Sequence, residues 1–260
     1  MKENYMPGQK TALPDGQPQQ KIIAAIPAYN EAKYIGQVVR QAKKYVHQVI
    51  VVDDGSTDET AKEAKAAGAT VIRHEINKNY GGAIKSCFKA ARKYEADILV
   101  TLDGDGQHNA AEIPLLIAPV IKGEADIVIG SRFLNGHNGI PRYRKFGIDV
   151  ITWLYNFGSP VKLSDAQSGF RTYNKKALES ITYLQDNKMA ISVETIVKAR
   201  KASLVMQEVP ISCKYHAQSS TLNPVTHGLS VALAAVKYRL QSTNIPFPQE
   251  NIQFTEAKNQ

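Results

Sequence analysis

Between residues 21 and 130, short apolar runs alternate with longer segments whose apolar residues recur at helical spacing. Residues 21–26, 48–52, 70–73, 97–102 and 125–130 read as strands, and residues 31–45, 57–67, 82–94 and 112–122 as helices. In the first helix Ile35, Val38, Val39 and Ala42 share one face. Gly68 supplies a stop after the second. Strands of this length, each followed by a helix, imply βαβ units and an α/β fold with a mostly parallel, doubly wound sheet, helices on both faces. Such sheets bind ligands beyond the carboxyl ends of their strands. The residues directly after each strand are therefore the first candidates for function.

The second half is less regular. Residues 144–157 form a helical candidate with Phe146, Val150, Trp153, Leu154 and Phe157 on one stripe. Residues 174–180, 192–201 and 225–240 read as helices and 204–210 as a strand. Residues 1–20 and 244–260 lack periodicity and are expected to be flexible arms around one body, residues 21–243. The N-terminal stretch has no apolar core of the signal-peptide kind. No run approaches the roughly 18–20 apolar residues of a transmembrane segment. Cys87 and Cys213 lie far apart and form no CxxC pair, so a reduced, cytoplasmic chain is expected. The net charge of +8 suits phosphate-bearing ligands or an anionic membrane surface. No basic block interleaved with aromatics stands out, which argues against nucleic acid.

Three polar clusters follow strands: IPAYNEA at 26–32, VDDGSTD at 52–58 and LDGDGQH at 102–108. Neither a GxGxxG after the first strand nor a P-loop is present, so a dinucleotide-binding Rossmann chain is excluded. Acidic residues stand where phosphate-cradling glycines would be. Carboxylates cannot grip phosphate directly. They can bind sugar hydroxyls, base N–H groups, or a divalent cation that in turn grips phosphate. Asp103 and Asp105, which repel each other, fit the last case: Mg²⁺ or Mn²⁺ takes oxygen ligands and bridges one or two carboxylates to substrate phosphates. Gly104 and Gly106 allow a tight turn and close approach, and Gln107 offers a further oxygen. Asp-Gly pairs are also ordinary turn formers. An EF-hand is excluded by His108 and Pro114 where that loop needs glycine and glutamate. Ser56 or Thr57 is expected to cap the second helix, leaving Asp54 for a ligand.

These motifs, PAYNEA, DDGSTD, DGDGQH and the later SDAQSGFR (residues 164–171), resemble the family 2 glycosyltransferases of GT-A fold, over roughly residues 20–240. Within that family the chain is most similar to the dolichol-phosphate mannose synthase and polyprenyl-phosphate glycosyltransferase branch. The resemblance implies nucleotide contacts from Pro27, Tyr29, Glu31 and Asp54, with Asp103 and Gly104 also at the donor. It implies metal ligation by Asp103, Asp105 and Gln107, with Mg²⁺ or Mn²⁺ as cofactor. The implied reaction is inverting transfer of a hexose from a UDP- or GDP-sugar to a polyprenyl (dolichyl-type) phosphate.

Family members that polymerise sugars carry a late Gln-x-x-Arg-Trp motif. Here the sole tryptophan is Trp153, in another setting, which argues against a processive synthase. An acceptor phosphate calls for cations, and Arg132, Arg142, Arg144, Lys145 and Arg171 are candidates; Arg132 and Arg171 sit inside the motifs, residues 142–145 also read as a solvated helix start, and Arg132 and Arg144 are assigned to the acceptor phosphate. The serine that mannose synthases carry soon after the acceptor-helix arginine is replaced by Phe146 or Ile148, and their late Ser-Lys-Leu stretch reads HAQSSTLNP. Both departures weaken a mannose assignment. An acceptor that is already anionic needs no strong general base. A hydroxyl acceptor would need one, and Asp165 is the candidate. Asp105, Asp165 and Arg171 thus form the candidate catalytic set. Two rivals remain at this point: a non-catalytic nucleotide-sugar binding module, and a nucleotidyltransferase, which IPAYNEA does not favour. The chain is expected to work in the cytoplasm, peripheral on the cytosolic face of a membrane.

Overall fold

All seven residues of the first strand, β1 (Ile22–Ala28), are buried. A strand covered on both faces must be apolar throughout, and β1 reads IIAAIPA rather than alternating with polar residues. The strands on either side of it in the computed structural model, which describes residues 20–134, 149, 152, 153, 156 and 162–214, have apolar centres as well, VIVV and ILV. The further elements are α1 (Ala32–Ala42), β2 (Gln48–Asp53), α2 (Thr60–Ala66), β3 (Thr70–Arg73), α3 (Asn79–Lys93), β4 (Ile98–Thr101), a 3₁₀ turn (Ala110–Glu112), α4 (Ile113–Ile121), β5 (Ile127–Ser131), β6 (Arg171–Asn174), α5 (Lys175–Ser180), α6 (Ile191–Lys201) and β7 (Met206–Pro210).

The strands form one seven-stranded sheet in the order β3-β2-β1-β4-β6-β5-β7. Every pairing is parallel except those of β6, which runs antiparallel to β4 and β5. Alternate side chains of β1 enter opposite cores. Ile23 and Ala25 pack with α3, α5 and α6; Ile22, Ala24 and Ile26 pack with α1, α2 and α4. The expected face of α1 is the buried one, Ile35, Val38, Val39 and Ala42.

The order of strands has a consequence for function. From β1 the chain crosses to β2 on one side, and later from β3 to β4 on the other side of β1. That reversal opens a crevice beyond the carboxyl ends of β1 and β4.

Two expectations need correction. The second helix starts at Thr60 rather than residue 57, because the Asp58 carboxylate accepts the Thr60 N–H at 3.0 Å and the Ala32 N–H at 3.2 Å. Ser56 and Thr57 do not cap it; their groups bond Asn30 instead. Strand β6 is not expected from the sequence, where it spans the end of SDAQSGFR and the residues before the helix at 174–180. It is four residues long, and its ladder to β4 pairs Thr101 with Arg171. The expected helices at residues 144–157 and 225–240, the arms 1–20 and 244–260, and Arg142, Arg144, Lys145, Phe146 and Ile148 lie wholly or largely outside the described residues.

Candidate active site

The crevice is lined with carboxylates because β1 and β4 both end just short of acidic residues. Beyond β1 come Tyr29, which is 47% exposed, Asn30 in a left-handed conformation (φ 57°), and Glu31. Asn30 ties this loop to the next one: its side-chain oxygen accepts the Thr57 N–H at 2.9 Å, and its own N–H donates to Ser56 Oγ at 2.9 Å. Beyond β4, Gly104 folds so closely over β1 that a Cβ there would sit 3.2 Å from Ala28 and Ile35 and 3.3 Å from the carbonyl of Pro27. That close approach brings the Asp103–His108 loop against Glu31.

Electrostatics register the crowding. Burial, then the charges of Asp105, Asp103 and Asp58, push the Glu31 carboxyl up to about 7. Asp103 and Asp105 are also raised, Asp103 by burial and Asp105 by burial and by the charge of Asp103. Tyr80 donates its hydroxyl to Asp103 Oδ1 at 3.2 Å. Asp105 Oδ1 accepts the Gln107 N–H at 3.0 Å, and the Gln107 side-chain amide nitrogen donates to Asp105 Oδ2. Gln107 therefore turns its nitrogen, not its oxygen, toward the Asp105 carboxylate. Its oxygen faces the Cys213 thiol at 4.0 Å. His108 is buried beneath the loop, its Nδ1 3.7 Å from Asp103 Oδ2, and burial lowers its pKa to about 4, so it stays neutral near neutral pH.

One strand away, Asp54 follows β2. It is buried, and its Oδ1 receives His74 Nδ1 at 2.6 Å and the Lys78 backbone N–H at 2.9 Å. His74 Nε2 lies 2.8 Å from Ser86 Oγ on α3. The other member of the pair, Asp53, is fully buried; it accepts the Ser56 N–H at 3.1 Å and meets Arg73 at 3.3 Å.

The third wall is the segment leading into β6. Gly169 presses against the acid pair: a Cβ there would lie 2.7 and 2.8 Å from the Asp103 carboxylate oxygens. Arg171, a candidate catalytic residue from the sequence, is instead buried and donates to the carbonyls of Ser168, Ala166 and Ser192 at 2.7, 2.8 and 3.0 Å. A guanidinium bonded to three carbonyls orders the loop, and its charge favours the ionised form of Asp103. Asp165 is fully buried and takes a two-pronged bond from Arg132, Nε to Oδ2 at 2.7 Å and Nη2 to Oδ1 at 2.8 Å. Burial opposes its charge, but Arg132 outweighs burial and holds the carboxyl below its usual range. Asp165 is therefore poorly suited to act as a base, and Arg132, expected at an acceptor phosphate, has its charge balanced within the protein. Glu208 of β7 completes the brace by accepting the N–H groups of Ser164 at 2.7 Å and Asp165 at 2.9 Å.

The sequence thus pointed to Pro27, Tyr29, Glu31, Asp54, Asp103, Gly104, Asp105 and Gln107, and the fold gathers all of them at the edge of β1, β2 and β4. It did not point to Tyr80, His74, Ser86, Gly169 or Glu208. Two of these carried a signal: His74 as a polar residue directly after a strand, and Gly169 by lying inside SDAQSGFR. Among the described residues no group of three or more His, Cys, Asp or Glu side chains is arranged to hold a metal on protein ligands alone. Among them, too, no helix is long and apolar enough to cross a membrane.

The model of the family described as Glycosyl transferase family 2 matches residues 23–182. The UDP-N-acetylglucosamine–dolichyl-phosphate N-acetylglucosaminyltransferase of Methanococcus voltae is 34% identical over 218 residues, covering 75% of this chain and 86% of that protein. The dolichyl-phosphate hexose transferase of Haloferax volcanii is 26% identical over 222 residues, covering 85% and 94%. In fold, the chain is similar to glucosyl-3-phosphoglycerate synthase from Mycobacterium tuberculosis in complex with Mn²⁺, UDP and phosphoglyceric acid, with a TM-score of 0.68 at 19% identity over 88% of this chain and 80% of that one.

Proposed function

The chain belongs to glycosyl transferase family 2 and has its GT-A fold, and from that membership we propose that it transfers a hexose, with inversion, from a nucleotide diphosphate sugar to a polyprenyl (dolichyl-type) phosphate. The observation that carries the proposal is the gathering of Glu31, Asp103 and Asp105 at the crevice between β1 and β4, with Asp54 one strand away. Adjacent strands are about 4.8 Å apart, so β2 and β4 are separated by about 10 Å, a span suited to a nucleoside and its phosphates. In this reading Asp54 and Tyr29 take the base end, while Asp103 and Asp105 take the diphosphate end.

The acid pair fits Mg²⁺ or Mn²⁺. Its donors are hard carboxylate oxygens, burial raises both carboxyls and the charge of Asp103 raises Asp105 further, and two carboxylates without a full protein cage are what a cation shared with phosphates requires. Asp103 and Asp105 would hold it; when bound it would stabilise the charge of the departing nucleotide diphosphate. Gln107, through its amide nitrogen, steadies Asp105. Tyr80 and Gly169 hold Asp103 in place. Glu31, whose proton persists to about neutral pH in the bare cluster, completes the negative wall facing the donor.

Acceptor chemistry follows from Asp165. A carboxylate gripped at both oxygens by Arg132 serves poorly as a base for a hydroxyl. A phosphate acceptor, already anionic, needs none; rate then comes from alignment and charge stabilisation. The dolichyl-phosphate activity named for two of the relatives supports the same choice. The proposal puts residues 21–243 at the cytosolic face of a membrane, working on the lipid from the surface. Incubating the full chain with Mn²⁺ or Mg²⁺, UDP- or GDP-hexoses and polyprenyl phosphate should release nucleotide in proportion to the lipid phosphate. Release that is equal with polyprenol, or none with any donor, would contradict it.

A further inference from the structure

Resting on the reading that Asp54 faces the donor base, we propose that His74, backed by Ser86, is a specificity-determining positioning residue that makes Asp54 accept one base N–H rather than two, selecting uracil over guanine.

Lone-pair accounting at Asp54 carries the inference. Each carboxylate oxygen has two acceptor positions. Oδ1 has both filled, by His74 Nδ1 at 2.6 Å and the Lys78 backbone N–H at 2.9 Å. Oδ2 makes no hydrogen bond with any described residue, yet it is not among the fully buried atoms that lack a hydrogen bond. Asp54 therefore offers one open oxygen.

The two bases differ in how many oxygens they demand. Uracil presents a single ring N–H between two carbonyls. Guanine presents a ring N–H beside an amino group, and a carboxylate satisfies that edge with both oxygens. Against Asp54 both guanine donors would have to converge on Oδ2 instead of each meeting its own oxygen, so at least one makes a poorly aligned bond, and poorly satisfied polar groups are what binding sites reject most strongly.

His74 is what makes the filling of Oδ1 permanent. A carboxylate only accepts, so Nδ1 must carry a hydrogen, and the Ser86 hydroxyl, 2.8 Å from Nε2, fixes that tautomer and the plane of the ring. The His74 main chain extends the β2–β3 pairing, its N–H donating to the Asp53 carbonyl at 2.9 Å, and the ring is only 6% exposed. It has no room to swing away.

The test is calorimetric titration of the full chain with UDP and with GDP, each in Mn²⁺. The wild type is expected to bind UDP about tenfold or more tightly than GDP, the worth of one charge-assisted hydrogen bond. His74→Ala, which opens the second acceptor oxygen, should bring the two affinities together. His74→Asn, whose amide N–H can still reach Oδ1, should keep them apart, and it carries the comparison if the alanine variant does not fold. Wild-type affinity for GDP equal to that for UDP, or an unchanged ratio in folded His74→Ala, overturns this inference while leaving the site intact, provided Asp54→Ala weakens both nucleotides. Nucleotide affinity unaffected by Asp54→Ala overturns the site reading and this inference with it.

Discussion

Gly169→Ala is the substitution through which the geometry of the acid pair can be tested without touching either carboxylate. The backbone at Gly169 is not in the left-handed region, so alanine meets no conformational penalty, and its whole effect is steric. The new Cβ would lie 2.7 Å from Asp103 Oδ2, 2.8 Å from Oδ1 and 2.8 Å from the Tyr80 hydroxyl, where ordinary contact begins at 3.4 Å. The Asp103 carboxylate must therefore retreat by about 0.7 Å, the difference between 3.4 and 2.7 Å. Overpacking costs about 1–3 kcal/mol, and because the displaced group is the end of a side chain, the cost should be near 1 kcal/mol. For a chain of this size that lowers the melting temperature by about 2–4 °C. The catalytic effect should be much larger, since misplacement approaching 1 Å costs about 10²-fold. Calorimetry of UDP with Mn²⁺ and steady-state transfer kinetics should show a loss of about ten- to a hundredfold in kcat/KM. A folded Gly169→Ala protein with unchanged Mn²⁺-dependent affinity and rate would refute the placement of Asp103 at the reacting centre.

Three further outcomes are expected. Glu31 rises from 4.5 to about 7 in the folded chain, so between those values the folded state holds a proton that the unfolded state has lost; metal-free stability should fall as pH rises through this window, and thermal melts at pH 5 and 7.5 that show no such fall would contradict the cluster. Added Mn²⁺ should oppose that fall, because a cation held by Asp103 and Asp105 offsets the charges that disfavour ionised Glu31. Arg171→Met leaves three buried carbonyls without their donor and should destabilise the fold by roughly 3 kcal/mol, read by urea denaturation; an unchanged midpoint would return Arg171 to the list of substrate-facing groups. Asp165→Asn should lower stability by about 3 kcal/mol, because it removes the charge that the largely buried Arg132 guanidinium grips in two places, while the shape of the pH–rate profile stays as in the wild type; loss of its acidic limb would reinstate Asp165 as a base.

What the sequence revealed, and what it concealed, divides along physical lines. The parallel core was legible because strands covered on both faces must be apolar runs, and β1, β2 and β4 are. Strand β6 was not, because RTYN carries no such run; its polar residues are buried by pairing between β4 and β5 rather than by composition. The acidic residues were visible because strand ends in a doubly wound sheet face the ligand. Their supports were not, since they come from distant segments. Gly169 lies 66 positions from Asp103 (169 − 103), and nothing local announces that its missing side chain makes room for a carboxylate. Arg171 and Asp165 show the reverse difficulty. Their motif marks charged residues near the site, but not that Arg171 donates to backbone carbonyls and Asp165 accepts from Arg132. A charge in a loop next to a site has two calls on it, order and chemistry, and only the packing decides which prevails.

The most direct test is UDP affinity measured by calorimetry with and without Mn²⁺, in the wild type and in Asp105→Ala. Cation-assisted binding in the wild type that vanishes in the variant is the expected result. A variant that still gains affinity from Mn²⁺ as the wild type does would remove the acid pair from the donor site.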